Sequence, residues 1–559
     1  MKSKLSDKLI LIAILLFAAF LRFYDINWDQ GQHLHPDERF LTLVGTVMKL
    51  PQSFANYLDP LTSTLNPANI GYKFYVYGTF PVTINKLIAI SLGTDNYNSF
   101  TIQGRFLSGF FDLLIVLLIY KTLLLFEKKY KINQSIKYWG AFFYAIAVLP
   151  IQLSHFFAVD TFLNSLMFAS FYAILKFHFQ GKTQNIIASA IFLGIALASK
   201  ITALFLLPLI LFLLLFPILK KDADNSGKPI LKLILHFGLF CLIFYLALRI
   251  ADPYMFQTAN FLDFRINQLF INNLKLLTYW FSPPVWYPPG VQWLSKTPLF
   301  PFANIAFFGL GLPYFIFTLV GMAVILSKPK RPALVGVLIW FFAFSIFESI
   351  QFAKAMRYFI IFYPFLAMFA AFGFVELCKN RGKLLKITAI ILVLFWPLSF
   401  FSIYTKKHTR VVASEWIYKN IPNKSIILNE YWDDGLPLPL QENFGKSFEA
   451  ESLPVFDPDT PDKWQKINTL LKKADYYILS SNRTWGSIAL VPKRYPLMSK
   501  FYRDLFAEKT SYKKIQEFSS YPSLRYLGIP LEFPDQIADE ELSVNDHPQV
   551  LIFKNTSKK

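Results

Sequence analysis

The stretch His33-Leu34-His35-Pro36-Asp37-Glu38-Arg39-Phe40 follows the first apolar run of the chain and carries two adjacent acids. The preceding run, Leu9 to Phe23, has no charge before Arg22 and is long enough to cross the hydrocarbon of a bilayer. We therefore expect Asp37 at the far membrane surface. A carboxylate near low dielectric, oriented by its neighbours, is suited to removing a proton from an incoming hydroxyl or amine. Asp37 is thus the leading candidate for a general base.

The composition excludes an ordinary soluble protein. Hydrophobic residues make up 54% of the 559 residues and the mean hydropathy is +0.39, so a soluble chain would leave much apolar surface without a core. The formal net charge is +20, but Lys and Arg are concentrated in short segments between apolar runs, which is how orientation in a bilayer is set. We therefore expect a polytopic protein that contacts membrane lipids and not nucleic acid.

Apolar runs of roughly twenty residues predict about eleven transmembrane helices over residues 1–404. Alternate loops are basic, as in Glu127-Lys128-Lys129-Tyr130-Lys131, which predicts that these loops and the N-terminus face the cytoplasm. On the opposite side the first long loop, Leu41 to Ser99, contains the amphipathic pieces Phe40 to Leu50 and Tyr75 to Leu92, which we expect to be interfacial helices. The sequence predicts an integral, multi-pass protein of the plasma (inner) membrane.

Residues 405–559 have the composition of a soluble domain, which the odd number of spans puts outside the cytoplasm. Helical and strand patterns alternate there, which predicts an α/β domain with a small mixed sheet. The predicted elements are a helix over Val411 to Asn420, the end of another at Thr469 to Lys473, and strands over Ser425 to Asn429, Tyr476 to Ser480 and Val550 to Phe553.

The predicted topology brings acids and cations from distant parts of the chain to the same membrane face. Ionisable groups at that depth are functional candidates by default, and acids beside fixed cations suit a site that holds a phosphate and deprotonates a nucleophile. Arg357 suits bidentate phosphate binding, and Lys200 supplies a point charge. The set is Asp37, Glu38, Asp160, Lys200, Lys354 and Arg357.

Several short stretches form a set with a distinctive order along the chain. They are Pro36-Asp37-Glu38-Arg39-Phe40, Val159-Asp160-Thr161, Leu197-Ala198-Ser199-Lys200-Ile201-Thr202-Ala203-Leu204, Arg249-Ile250-Ala251-Asp252-Pro253-Tyr254, Gln292-Trp293, Gly309-Leu310-Gly311-Leu312-Pro313, Met356-Arg357-Tyr358 with Tyr363-Pro364, and Tyr431-Trp432-Asp433-Asp434. The set resembles the membrane-embedded GT-C glycosyltransferases, which include protein O-mannosyltransferases and aminoarabinose transferases. It resembles most the bacterial phospholipid-carrier-dependent members, and the similarity extends over the whole chain.

The resemblance implies transfer of a sugar from a polyprenyl-phosphate donor to a lipid, glycan or protein acceptor on the outer face. By the family pattern Asp37 is the general base, with Glu38 and Asp160 as further acids. Lys200 and Arg357, with Lys354 near them, would hold the donor phosphate. We infer an inverting displacement that requires no cofactor, since cations neutralise the phosphate leaving group. Arg39 lies one residue nearer the acid pair than its counterpart does in aminoarabinose transferases, so its role is not carried over.

Four further residues are candidates for contacts to the sugar or acceptor: His35, His155, Tyr358 and Asp433. Most of the candidate site residues have a simpler alternative, and for His155 it is a hydrogen-bonded position at the membrane interface. Asp37 with Glu38, and Asp160, suit the first turn of a helix, and Lys200 and Arg357 suit helix ends from which they reach the headgroups. His33 and His35 suit metal binding less well than a surface position, and Asp433 suits a solvated turn.

Two other functions remain open at this stage. A transporter or lipid flippase would also place charges around an intramembrane cavity, but it should show matching halves, and the sequence has no convincing repeat. A non-catalytic receptor would depend on residues 405–559 for binding a glycan or partner, and its binding would not require Asp37.

Overall fold

The computed structural model describes residues 2–221 and 228–558, and most of them are helical. The first half of the chain contains eleven of the described α-helices. They are α1 (Lys2–Phe23), α2 (Pro36–Val47), α3 (Phe54–Leu58), α4 (Phe80–Leu92), α5 (Tyr97–Tyr130), α6 (Ile136–Ala145), α7 (Val148–Ser154), α8 (Val159–Gln180), α9 (Gln184–Leu197), α10 (Leu207–Lys221) and α11 (Lys228–Ala251). The amphipathic pieces predicted in the first long loop correspond to α2 and α4.

The second half continues the helical region and then changes character. Its helices are α12 (Gln268–Trp280), α13 (Phe300–Asn304), α14 (Leu312–Leu326), α15 (Pro332–Ser349), α16 (Tyr363–Leu377), α17 (Lys383–Phe401), α18 (Thr409–Asn420), α19 (Pro461–Lys473), α20 (Trp485–Ile488), α21 (Pro496–Phe506) and α22 (Glu540–Ser543). Short 3₁₀ segments join several of them, at Pro67–Ile70, Ile201–Leu206, Pro253–Met255, Pro288–Ser295, Met356–Phe362, Ser402–Thr405 and Arg525–Leu527, with one π segment at Ile305–Gly309.

Six helical segments within the described ranges are long and apolar enough to cross a membrane, or up to eight if two bent pairs count as one span each. The predicted number of about eleven is not confirmed by this count. One cause is bending: α6 and α7 meet at 54°, and the helix before α14 meets it at 117°. Another is length, since α9 has only 14 residues. An apolar run indicates that a segment is buried in lipid or in protein. It does not indicate whether the helix continues without a bend.

Helices α14 and α16 pack against each other through small residues. A Cβ built on Gly321 would lie 1.7 Å from the Phe369 carbonyl oxygen, and one built on Gly373 would lie 1.9 Å from that of Phe317. Only glycine therefore allows the two backbones to approach so closely, as is common between membrane helices.

The C-terminal region contains a five-stranded mixed sheet with the order β2-β1-β3-β5-β4. Strands β1, β2 and β3 are parallel, while β5 is antiparallel to both β3 and β4. The strands are β1 (Ile426–Glu430), β2 (Glu449–Leu453), β3 (Tyr476–Leu479), β4 (Tyr512–Phe518) and β5 (Val550–Asn555). The predicted small sheet is confirmed, but β2 and β4 were not predicted, since both are edge strands in which charged residues interrupt the apolar pattern.

One buried apolar cluster extends from the helical bundle into the C-terminal region. It includes Phe400 and Tyr404 near the end of the helical region, Ile417 on α18, and Ile427 and Ile552 in the sheet. The sheet is therefore packed against the helices through a shared core. This packing brings the segment that contains α22 over the helix ends where the predicted site residues lie.

Candidate active site

Asp37 and Arg357 form the centre of the candidate site. Asp37 is the second residue of α2, which begins at Pro36 with His35 as its N-cap. Arg357 lies in the 3₁₀ segment before α16, and its Nη1 atom is 2.5 Å from Asp37 Oδ2. The alternative that Asp37 lies in a first helical turn is therefore confirmed. This position is also compatible with a catalytic role, because the carboxylate pairs with Arg357 from a distant segment.

A second ion pair lies beside the first. Lys200 Nζ is 2.8 Å from Asp160 Oδ1, and Asp160 lies in the first turn of α8. The Tyr358 ring lies between the two cations, 5.2 Å from Lys200 Nζ and 5.6 Å from Arg357 Cζ. The structure thus brings together four of the charged residues predicted for the site, with Tyr358 as an aromatic surface between them.

A close backbone contact positions Lys200. The backbone N–H of Gly78 donates to the Ser199 carbonyl at 3.0 Å, and that of Phe80 donates to the Ala198 carbonyl at 3.1 Å. A Cβ at Gly78 would lie 1.9 Å from the Ala198 carbonyl oxygen, so this approach requires glycine. The loop before α4 therefore holds the segment that ends in Lys200.

The electrostatics make Asp37 a weak base in this state. Burial has the largest single effect and raises its pKa, but Arg357, His35 and Lys200 together outweigh it and lower the pKa to about 2. Asp37 is therefore ionised at neutral pH and holds Arg357. A proton acceptor with so low a pKa is ineffective until the charge of Arg357 is engaged by another anion.

Glu38 does not share the site with Asp37. Both of its carboxylate oxygens bind Arg105, at 2.6 and 2.8 Å, and one also accepts the Phe157 N–H at 2.8 Å. Arg105 also binds Asp29 at 2.7 Å, and all three charged side chains are fully buried. The prediction that Glu38 is catalytic is therefore not supported. Consecutive helical residues point about 100° apart, so Glu38 fixes α2 to the bundle while Asp37 faces Arg357.

Asp433 is also bound elsewhere. Its carboxylate pairs with Arg410 at 2.7 Å and accepts from the Ser481 hydroxyl, and its side chain is only 2% exposed. Asp434 pairs with Arg410 at 3.0 Å and with Arg39 at 2.9 Å. The alternative of a solvated turn is contradicted by this burial, and these pairs do not favour the predicted sugar contact. The network instead fixes the turn after β1 and ties it to α2 through Arg39.

Glu541 is a site residue that the sequence reasoning missed. Its Oε2 atom lies 2.9 Å from Arg357 Nε, so it pairs with the same guanidinium as Asp37. Its segment is held nearby because the Met356 N–H donates to Asp539 at 2.5 Å. Burial raises the pKa of Glu541 to about 8, and Arg357 only partly opposes that rise. No motif marks this residue, which lies in an ordinary acidic run far along the chain from its partner.

The predicted histidine contacts have different outcomes. His35 Nδ1 accepts the Glu38 N–H at 3.3 Å, its ring stacks on Phe156, and it lines a small cavity with Arg357 and Glu541. In His155, one ring nitrogen is 2.8 Å from the Ile151 carbonyl oxygen and the other is 3.0 Å from that of Tyr24. This arrangement agrees with a hydrogen-bonded His155 and does not favour a substrate contact, because backbone carbonyls lie at both nitrogens of a fully buried ring.

Lys354 lies outside the ion-paired group. Lys354 Nζ donates to the Phe352 carbonyl at 3.0 Å, two residues away, so it contributes no ion pair to the Asp37 group.

Across residues 2–221 and 228–558, no cluster of three or more His, Cys, Asp or Glu side chains is arranged to hold a metal ion. The prediction that no cofactor is required remains untested.

Comparison with known proteins gives a partial match to one family profile and a similarity of fold. The sequence profile of the dolichyl-phosphate-mannose-protein mannosyltransferase family matches residues 89–246, which include Asp160 and Lys200. No curated protein sequence matches the chain.

One similar solved structure is the archaeal oligosaccharyltransferase AglB from Archaeoglobus fulgidus, in complex with an inhibitory peptide and a dolichol-phosphate. Its TM-score is 0.52 at 12% sequence identity, and the match covers 99% of this chain and 89% of AglB. ArnT from Cupriavidus metallidurans, bound to undecaprenyl phosphate, has a TM-score of 0.47 at 12% identity, over 98% of both chains. The S. cerevisiae Pmt1-Pmt2 complex has a TM-score of 0.35 at 17% identity, over 45% of this chain and 34% of that one. The chain has the GT-C fold, and the predicted resemblance to that superfamily is confirmed.

Proposed function

We propose that this protein transfers a sugar from a polyprenyl-phosphate donor to an acceptor at the membrane surface. The observation that carries the proposal is the convergence of Asp37, Arg357, Asp160 and Lys200, from four separate segments, into adjacent ion pairs. Two cations within one site suit the phosphate of a lipid carrier, and a half-buried carboxylate beside them suits proton removal. The matched mannosyltransferase profile and the dolichol-phosphate in the AglB complex support a lipid-linked donor.

Donor binding and base activation are coupled in this proposal. Arg357 and Lys200 bind the donor phosphate, so that Arg357 no longer stabilises the Asp37 carboxylate alone. The phosphate also brings negative charge close to Asp37. Both changes raise the pKa of Asp37 from about 2, which makes it a better base only when donor is present.

The transfer step then balances without a further reactant. Asp37 takes the proton of the acceptor hydroxyl, and the acceptor oxygen forms a bond to the anomeric carbon of the sugar. The bond from that carbon to the phosphate oxygen breaks, and the electron pair leaves on the phosphate, where Arg357 and Lys200 neutralise it. Attack from the side opposite the leaving phosphate inverts the anomeric configuration. Asp160 orients Lys200 by its ion pair and makes Lys200 a fixed rather than a mobile charge.

The cellular setting follows the charge pattern. We propose a multi-pass protein of the plasma (inner) membrane with a cytoplasmic N-terminus, which leaves the C-terminal sheet and the reaction on the extracytoplasmic face. The donor would approach from the lipid, and the acceptor would approach from the side of the C-terminal region.

The test is Asp37→Asn in the full-length protein, reconstituted with polyprenyl-phosphate sugars. We expect normal insertion and retained undecaprenyl-phosphate binding, but loss of transfer by at least about a hundredfold, in line with the contribution of a general base. Asp95→Asn is the control, because Asp95 pairs with Lys86 in the first long loop and not with Arg357. Unchanged turnover in the Asp37 variant would remove that residue from the mechanism. If the wild type binds a glycan but transfers no sugar, and Asp37→Asn binds that glycan equally well, the result would favour a non-catalytic receptor.

A further inference from the structure

A cleft lined by aromatic side chains lies between the loop after α12 and the C-terminal region. Its volume is about 450 Å³, within the range of small-molecule sites. The lining residues are Trp280, Trp286, Tyr287, Trp432, Phe456 and Asp457, with two prolines. None of them belongs to the ion-paired site described above.

Two of the rings are held rigidly. Arg494 lies 4.0 Å from the centre of the Trp286 ring and donates to the carbonyls of Pro283 and Val285, at 2.9 and 2.8 Å. Tyr287 stacks on Trp280 with ring centres 5.3 Å apart. Nevertheless Trp286 remains 43% exposed, so its ring is fixed and still accessible.

The opposite wall is presented by a strained turn. Trp432 has φ +77°, which is unusual for a residue other than glycine, and its side chain is 41% exposed. The buried pairs of Asp433 and Asp434 with Arg410 hold this turn in place. Strained backbone that is maintained by the surrounding structure is typical of functional positions. Here it holds a large aromatic ring in an exposed position.

One residue of the cleft lies near the ion-paired site. Burial raises the pKa of Tyr287, and the Asp37 carboxylate is close enough to raise it further. The ring of Tyr287 also contacts that of Trp432, with centres 5.8 Å apart. Tyr287 therefore links the lining of the cleft to the surroundings of Asp37.

We propose that this cleft binds a saccharide, and that the acceptor of the transfer is accordingly a carbohydrate or carries one. Rigid, accessible aromatic faces suit the C–H faces of sugar rings, while one exposed carboxylate, Asp457, is available for hydroxyl groups. A lipid chain does not require the carboxylate, and none of the lining residues belongs to a helix long and apolar enough to span a membrane. The role as acceptor site rests on the proposed transferase function, but saccharide binding itself does not.

The purified full-length protein in detergent is titrated separately with maltohexaose, cellohexaose, chitohexaose and mannohexaose. Binding is measured by calorimetry and by tryptophan fluorescence. We expect at least one to bind and to change the fluorescence. Trp432→Ala and Trp286→Ala, which alter opposite walls, should each weaken that binding at least tenfold. Tyr431→Ala is the matched control, because Tyr431 is a 56% exposed aromatic residue on the same turn but does not line the cleft.

Undecaprenyl phosphate, titrated in parallel, separates the two proposals. Its binding should be unchanged in both tryptophan variants, which also shows that they fold, and should be weakened by Arg357→Met. Failure of all four oligosaccharides to bind, or binding that neither tryptophan variant weakens, would overturn the cleft proposal alone. Binding of a neutral hexapeptide in their place, sensitive to Trp432→Ala, would reassign the cleft to peptide. Undecaprenyl phosphate binding that is insensitive to Arg357→Met would instead overturn the proposed function.

Discussion

Replacing Glu541 with Gln should make donor binding independent of pH in the alkaline range. Glu541 pairs with Arg357 at 2.9 Å and its pKa is about 8. If Arg357 binds the donor phosphate, the Glu541 carboxylate competes with that phosphate, whereas protonated Glu541 does not. A second anion at Arg357 raises the pKa of Glu541 further, so donor binding takes up a proton. Affinity must then fall as pH rises through about 8.

The expected size follows from the titration. With a pKa of about 8, roughly a tenth of Glu541 is ionised at pH 7 and roughly nine-tenths at pH 9. Affinity of the wild type for undecaprenyl phosphate should therefore fall about tenfold between pH 7 and pH 9, or about 1.4 kcal/mol. The phosphate itself titrates near pH 6 and changes little over this interval. Glu541→Gln should bind equally well at both pH values.

The measurement is the dissociation constant of undecaprenyl phosphate for the protein in detergent at pH 7, 8 and 9. Glu540→Gln is a matched control, because Glu540 is the adjacent residue but pairs with Arg483 at 2.7 Å. It should keep the tenfold decrease. A wild type whose affinity does not change with pH, or a Glu541→Gln variant that keeps the decrease, would refute competition at Arg357.

Two further substitutions test the buried framework and the second cation. Arg105→Met should destabilise the fold by about 3–5 kcal/mol, because it leaves the buried Glu38 and Asp29 without a counter-charge; an unchanged thermal unfolding midpoint in detergent would contradict this. Lys200→Met should weaken undecaprenyl-phosphate binding by about tenfold or more, as expected for loss of one charged hydrogen bond. Lys86→Met, which alters a buried lysine in the first long loop, should not weaken it, and equal losses in the two variants would argue against a phosphate contact.

The charge pattern predicted part of the site because membrane topology restricts where ionisable residues can lie. Asp37, Asp160, Lys200 and Arg357 were predicted on one membrane face, and the structure brings them together. Their catalytic and phosphate-binding roles remain predictions. The sequence also indicated the sheet, since apolar strands such as β3 and β5 have a clear pattern.

What the sequence could not supply were the partners of individual charges. Glu38 and Asp37 are adjacent and chemically alike, and only the positions of Arg105 and Arg357 distinguish them. Asp433 appeared solvated because Arg410, its partner, lies on a different element. Glu541 has no local signal at all, since its significance arises from docking of the C-terminal region over the helix ends. Pairing is a long-range property, whereas motifs and periodicity are local.

One turn of α2 forms ion pairs with three parts of the protein, and these pairs differ in how much they stabilise the fold. The residues are Asp37, Glu38 and Arg39. Asp37 faces Arg357, while Glu38 pairs with Arg105 without solvent exposure of either side chain. Arg39 pairs with Asp434, but the two side chains are 40% and 19% exposed. Such an exposed pair contributes at most about 1 kcal/mol, whereas breaking a buried pair costs several times more. Asp37 is thus fixed firmly to the bundle through its neighbour Glu38, and the turn that carries Trp432 is held mainly by Arg410, with the exposed Arg39–Asp434 pair adding little.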